Sequence, residues 1–339
     1  MTVRADAAPA RAARRRPAIP RQGWLIVAAK EIGDHVTSAR FAVLLVILAF
    51  AVGVPLFFAS ARIRDLAEAA SGQPAVFLAL FTVGAEEIPI LRVAAFVAFL
   101  APLLGIAFGF DSVNVERSEG TLPRLLSQPI YRDDVINGKF AAGLAVVSLV
   151  LASLTAFLVG FGIVRLGIGP GIYEVVRIVA WLALTIVYVG AWLAFATLLS
   201  VVIRRPATAA LVAFGTWVGI TVYGQVLAAT LAEIVAPTRA VRTVEDFFRN
   251  VAIQDFLIRL SPSTLYQEAA VTLLNPTVTS TTRPTTIGQL LQSEQQIPTY
   301  FSLDQSLMLV WPHVVALIAL TVVSFGAAYV LFMRQEIRA

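Results

Sequence analysis

The sequence predicts an all-α integral membrane protein with six transmembrane helices, and three observations carry that reading. Hydrophobic residues make up 58% of the 339, and charged residues only 14%, against about 25% in a soluble domain. The apolar residues gather into six runs of 18–26 residues, each long enough to cross a hydrocarbon core of roughly 30 Å. There is no cysteine, and His35 and His313 are the two histidines. This excludes a disulfide framework, a thiolate metal site, a cysteine nucleophile and a His-rich metal cluster.

Residues 1–23 are rich in Ala, Pro and Arg and read as a disordered basic tail. A twin-arginine signal at Arg14-Arg15-Arg16 is disfavoured, because the first apolar run starts only near Phe41 and no small-residue cleavage pattern follows. Residues 24–40 are amphipathic. Leu25, Ala28, Ala29, Ile32 and Val36 share a face, Lys30, Asp34 and Ser38 lie away from it, and Trp24 suits a membrane interface. Spans follow at Phe41–Phe58, Val93–Phe110, Phe140–Val164, Ile178–Ile203, Ala207–Leu231 and His313–Met333. Pro55 and Pro102 are positions for kinks in the first two. Residues 334–339 form a short C-terminal tail.

Six spans put both termini on one side. The tails, the 111–139 loop and the Arg204-Arg205 turn hold 16 basic and 9 acidic residues, net +7. The opposite side holds 10 and 12, net −2. The positive-inside rule therefore places both termini in the cytoplasm. The pI near 9.9 reads as basic loops facing anionic lipid, with no nucleic acid partner.

Two outer segments remain. Residues 59–92 contain the pair Glu86-Glu87, which reads as part of a solvated loop because no third ligand lies nearby. Residues 232–312 are too long for a plain connector. Val244 to Leu260 has helical spacing of Val244, Phe247, Phe248, Val251 and Phe256, and a second short helix is expected over Ser263–Leu274. A Thr-rich loop follows. No charged side chain lies near the middle of a predicted span, which argues against an ion-driven transporter. Gly105-x-x-x-Gly109 and Gly215-x-x-x-Gly219 are close-packing motifs, within one subunit or between two.

The polar island Phe110–Lys139 carries the most information. Thr121 reads as an N-cap and Pro123 falls in the first turn. Leu122, Leu125 and Leu126 share a face, and Pro129 ends the helix. Glu116-Arg117, Glu119-Gly120-Thr121-Leu122, Leu125-Leu126-Ser127, Pro129, Arg132 and Gly138-Lys139 resemble the cytoplasmic signature of ABC-2 type transporter permeases. The resemblance is closest to the subgroup that includes the copper-maturation permease of nitrous oxide reductase assembly.

The resemblance implies the membrane subunit of an ABC transporter in the plasma membrane, with export the direction that family precedent favours. Residues 24–40 become the elbow helix, and the island becomes the cytoplasmic coupling helix that docks into a separate ATP-binding subunit. The coupling residues it implies are Glu116, Glu119, Gly120, Thr121, Leu122, Leu125, Leu126 and Arg132. Gly120 would allow the sharp turn, the leucines would fill a groove and the charges would set register. A second permease copy would complete the pathway. Cofactors are none in this chain: no Walker A sequence surrounds Gly138-Lys139, so ATP and Mg²⁺ belong to the partner. An intramembrane enzyme and a non-transporting scaffold or sensor are the alternatives. The enzyme would need a His-Glu-x-x-His, a cysteine or an intramembrane Asp pair, none of which the sequence supplies.

Overall fold

The computed structural model describes residues 23–65, 75–83, 92–121, 130–238, 243–278, 280–281 and 300–335. The basic tail, Glu86-Glu87, the helix expected over Leu122–Gln128, most of the Thr-rich loop and residues 336–339 lie outside them. The described residues form helices and no strands. In chain order these are α1 (Gly23–Val36), α2 (Ala39–Asp65), α3 (Ala79–Thr82, after a 3-10 turn), α4 (Val93–Gly109), α5 (Asn114–Ser118), α6 (Arg132–Leu166) and α7 (Ile172–Val202). They continue with α8 (Pro206–Thr221), α9 (Gly224–Val235), α10 (Val244–Ile258), α11 (Pro262–Leu274) and α12 (Leu303–Arg334).

Five segments are long and apolar enough to cross a membrane: Phe41–Ile63, Val93–Ser118, Arg132–Leu166, Ile172–Val202 and Leu303–Arg334. A sixth exists if α8 and α9 count as one. The expected fifth span is broken here, since the two helices meet at 55° across Val222-Tyr223. The break contains no proline. Pro55 and Pro102, by contrast, lie inside continuous helices. The ladder survives around the break, with Val222 N–H donating to Val218 O (2.9 Å) and Leu227 N–H to Tyr223 O (2.9 Å).

Helix α7 is the centre of the bundle. It packs on α12, α4, α6, α11 and α8, and Trp181, Leu184, Tyr188, Val189, Trp192 and Leu193 are buried along it. The α4–α7 contact depends on absent side chains. A Cβ on Gly105 would lie 2.5 Å from Val189 O, and one on Gly109 would lie 2.7 Å from Ala196 Cβ. The first glycine motif therefore packs within the subunit. The second does not, for Gly215 and Gly219 have nothing within 4 Å of a built Cβ. Gly105→Val is expected to destabilise by about 1–3 kcal/mol or more through overpacking, while Gly215→Val leaves the fold unchanged. Thermal unfolding of the two purified variants checks this.

Both short helices expected in the 232–312 segment form. The apolar spacing of α10 is helical, yet Val244, Phe247 and Phe256 remain exposed. Helix α11 goes deeper than an outer loop requires, and packs on α12, α7, α4 and α3. Tyr266 is fully buried, stacks on Tyr188 with ring centroids 4.4 Å apart, and shares a 2.9 Å hydrogen bond with Thr185. Tyr188 in turn donates to Ala98 O at 3.0 Å. Stacking two rings and pairing both hydroxyls makes a buried polar contact favourable.

Candidate functional site

One end of the bundle gathers α1, the chain between α4 and α6, the α7–α8 turn and the end of α12. Its anchor is Asn114, fully buried. Asn114 Nδ2 donates to Phe110 O (3.1 Å) and Ile203 O (3.2 Å). The backbone N–H groups of Val113 and Asn114 both donate to Ser200 Oγ, at 2.9 and 3.1 Å. These bonds satisfy donors that a chain leaving a helix would otherwise bury unpaired. They also fix the turn after α4 on α7.

Lys139 forms the second anchor. Its Nζ sits 2.8 Å from Glu116 Oε1 and 3.0 Å from Glu31 Oε1, with the lysine side chain only 5% exposed. One ammonium thus fastens α1, α5 and α6 together. The approach of α1 is close because Gly138 has no side chain: a Cβ there would lie 2.7 Å from Trp24 O. The buried face of α1 is Gly23, Val27 and Ala28. Of the apolar face expected from the sequence, Ala28 and Ile32 pack inward, while Leu25, Ala29 and Val36 are exposed. Lys30 and Asp34 do lie on the open side, 2.8 Å apart. That hydrogen bond holds the Asp34 carboxyl below its ordinary value and raises the Lys30 ammonium.

Arginines close the third side. Arg117 donates to Val201 O (3.3 Å) and to Gln335 Oε1, and Gln335 Nε2 returns to Val201 O at 3.0 Å. Arg132 donates to Gln335 O at 2.9 Å and lies over the Phe332 ring. A cation at the last carbonyls of α12 is a favourable C-terminal cap.

The sequence-predicted residues thus divide. Glu116 and Arg132 face the chain's own scaffold. Glu119, Gly120 and Thr121 are exposed. Gly120 has φ +71°, the left-handed turn expected of it. Thr121 folds back, its N–H donating to Glu116 O at 2.9 Å and its Oγ1 to the same carbonyl at 3.3 Å. Leu122, Leu125 and Leu126 lie outside the described residues. The exposed turn is thus tied to the backbone of Glu116, whose side chain pairs with Lys139.

The opposite end holds charged groups that the sequence reading passed over. Arg177 is fully buried. It donates to Leu273 O (2.7 Å), Phe301 O (2.6 Å) and Ser306 Oγ (3.1 Å), and lies over the Tyr173 ring. Its charge meets the carbonyl end of α11, where the helix dipole is negative. Three residues earlier, Glu174 accepts from Gly171 N–H and Phe77 N–H, both at 2.8 Å. Glu268 on α11 joins Arg259 (3.1 Å) to His313 of α12 (2.9 Å). Burial alone would raise the Glu268 carboxyl, but the His313 and Arg259 bonds outweigh it and hold it below the ordinary range. The available signal was the i, i+3 pair Glu174/Arg177 at the head of a long apolar run. No metal-holding group of three His, Asp or Glu occurs among the described residues.

Comparison with known proteins finds a matching family and a relative. The family described as ABC-2 family transporter protein matches residues 25–337. The "Probable ABC transporter permease protein NosY" of Stutzerimonas stutzeri is 30% identical over 205 residues. That match covers 58% of this chain and 65% of the relative, just under two thirds of its length.

Proposed function

This chain belongs to the ABC-2 transporter family and is a multi-pass membrane subunit of an ABC transporter; from that premise we propose that it works as an exporter driven by a separate ATP-binding subunit. Two permease copies form the pathway in the plasma membrane, with α8 and α9 as one bent fifth span among six. The end carrying Lys139 faces the cytoplasm, with both termini. ATP and Mg²⁺ act in the partner, and this chain moves with it.

The observation that carries the reading is the exposed Glu119–Thr121 turn, seated on the buried Glu116–Lys139–Glu31 network. A turn so mounted delivers a push on residues 119–126 to three helices at once. Leu122, Leu125 and Leu126 supply the docking face, each contributing about 1.5–3 kcal/mol at most when buried. Association costs reduce the net gain. Glu116 and Arg132 are positioning residues, and Glu119 is the rim charge.

The test is co-purification with the cognate ATPase. The Leu125→Asp/Leu126→Asp variant is expected to lose the ATPase while remaining monodisperse. Glu119→Ala should mainly change the salt dependence of binding. Unchanged capture by the double variant would remove this stretch from the interface.

A further inference from the structure

The break in the fifth span borders two cavities that the proposed cycle does not use. One, about 740 Å³, lies among α3, α4, α11 and the break, where Arg92, Thr82, Gln267 and Asn275 meet Phe81 and Phe99. The other, about 400 Å³, lies between α9, α10 and α11, where Leu227, Leu231 and Leu257 meet Gln225, Ser261 and Ser263. Thr221 and Gln267 line both. Volumes of this size, apolar walls and a few convergent polar groups are the features of a small-molecule site.

Thr221 gives the independent sign. Thr155, Thr185, Thr197, Thr216, Thr230, Thr272 and Thr321 each give their hydroxyl to the carbonyl four residues back. Thr221 does not; its Oγ1 is buried and unpaired at the wall between the cavities. A buried hydroxyl without a partner is costly unless something fills its place. The charge pattern narrows what that is. Among the described residues no carboxylate lines either cavity, and Arg92 supplies the cation. Among the described residues the Arg92 guanidinium has no ion-pair or hydrogen-bond partner.

We propose that these joined cavities bind an amphipathic anion, a phosphate or carboxylate head at Arg92 with an alkyl body reaching past Thr221 toward Leu227 and Leu231. Gln267, Asn275 and Thr82 donate to the head's remaining oxygens, and Phe81 and Phe99 flank the first carbons. The site lies inside one protomer, and its occupancy opposes straightening of the break. It stands independently of the ATPase reading.

The native sequence has no cysteine, so a single Val271→Cys in the first cavity reports without background. The full chain is placed in nanodiscs of neutral lipid and its maleimide labelling rate is followed. Dodecyl phosphate is expected to slow labelling, and dodecyltrimethylammonium of equal chain length is not. Arg92→Gln should weaken the protection roughly ten- to a hundredfold in concentration, and Arg92→Lys should keep most of it. Protection in phosphatidylglycerol nanodiscs without added amphiphile assigns the ligand to the bilayer; protection only by the added compound assigns it to a free solute. Equal protection by cation and anion, protection surviving Arg92→Gln in a monodisperse protein, or none in any arm overturns the proposal.

Discussion

Arg177→Met is expected to unfasten the half of the protein opposite Lys139. The guanidinium reaches α11 through Leu273 O, the chain before α12 through Phe301 O and α12 through Ser306 Oγ. Each hydrogen bond to a charged group contributes about 1.5–3 kcal/mol, and acceptors left buried without a donor add their own desolvation cost. Methionine fills much of the volume but donates nothing. The net loss should be on the order of 3–6 kcal/mol, since some carbonyls will recruit water. Arg177→Lys should recover little, because an ammonium cannot reproduce the planar fork. Thermal unfolding of purified variants measures the total. Limited proteolysis localises it: cleavage should move into residues 243–278 while the Lys139 end stays protected. A Met variant that melts with the native protein would show the bonds to be dispensable.

Lys139→Met has the second largest expected effect, for a different reason. Glu31 and Glu116 point their carboxylates at one ammonium, with side chains only 15% and 17% exposed. Removing the lysine leaves two poorly solvated anions facing each other. Losing one partner of such a pair costs about 3–5 kcal/mol. Capture of the ATPase should fall with it, because the Glu119–Thr121 turn loses its seat. Neutralising all three positions, with Glu31→Gln and Glu116→Gln added, should restore the melting temperature, as a charge network replaced whole is often tolerated. If ATPase capture stays low in that stable triple variant, the network positions the turn; if it returns, the pairing served stability alone.

The sequence was legible where hydrophobicity acts over long windows. The six apolar runs reappear as five helices and one bent pair, because a span's length is dictated by the bilayer more than by its neighbours. The helices at 244–258 and 262–274 were legible from spacing. What their faces touch was not. Leu25, Ala28, Ala29, Ile32 and Val36 share an apolar face on a helical wheel, yet of these only Ala28 and Ile32 turn inward beside Gly23 and Val27, since backbone approach at Gly138 sets the rotation of α1. In a membrane protein an apolar face can point outward at no cost, so amphipathicity stops indicating the core. Arg177 was missed for a related reason. Its partners are mostly backbone carbonyls from segments about a hundred residues away, and no side-chain pattern records them. Glu116 and Arg132 were expected to set register on an ATP-binding subunit, and each also has a partner inside the chain that no sequence pattern announces.

The bend at Val222-Tyr223 also bears on the bilayer that surrounds the protein. The fifth apolar segment, Pro206–Val235, would be about 45 Å long as one straight helix, against a hydrocarbon slab of about 30 Å. Folded over by 55°, α9 adds only about 10 Å to the roughly 24 Å of α8 along the α8 axis. Counted as one span, the segment then matches membrane thickness without tilting as a whole, and Val226, Ile234 and Val235 remain exposed along α9. On the proposed six-span arrangement, hydrophobic mismatch is absorbed by one joint instead of being spread over the bundle. A thicker bilayer favours opening that joint and a thinner one favours closing it, which makes lipid chain length a mechanical input to this subunit.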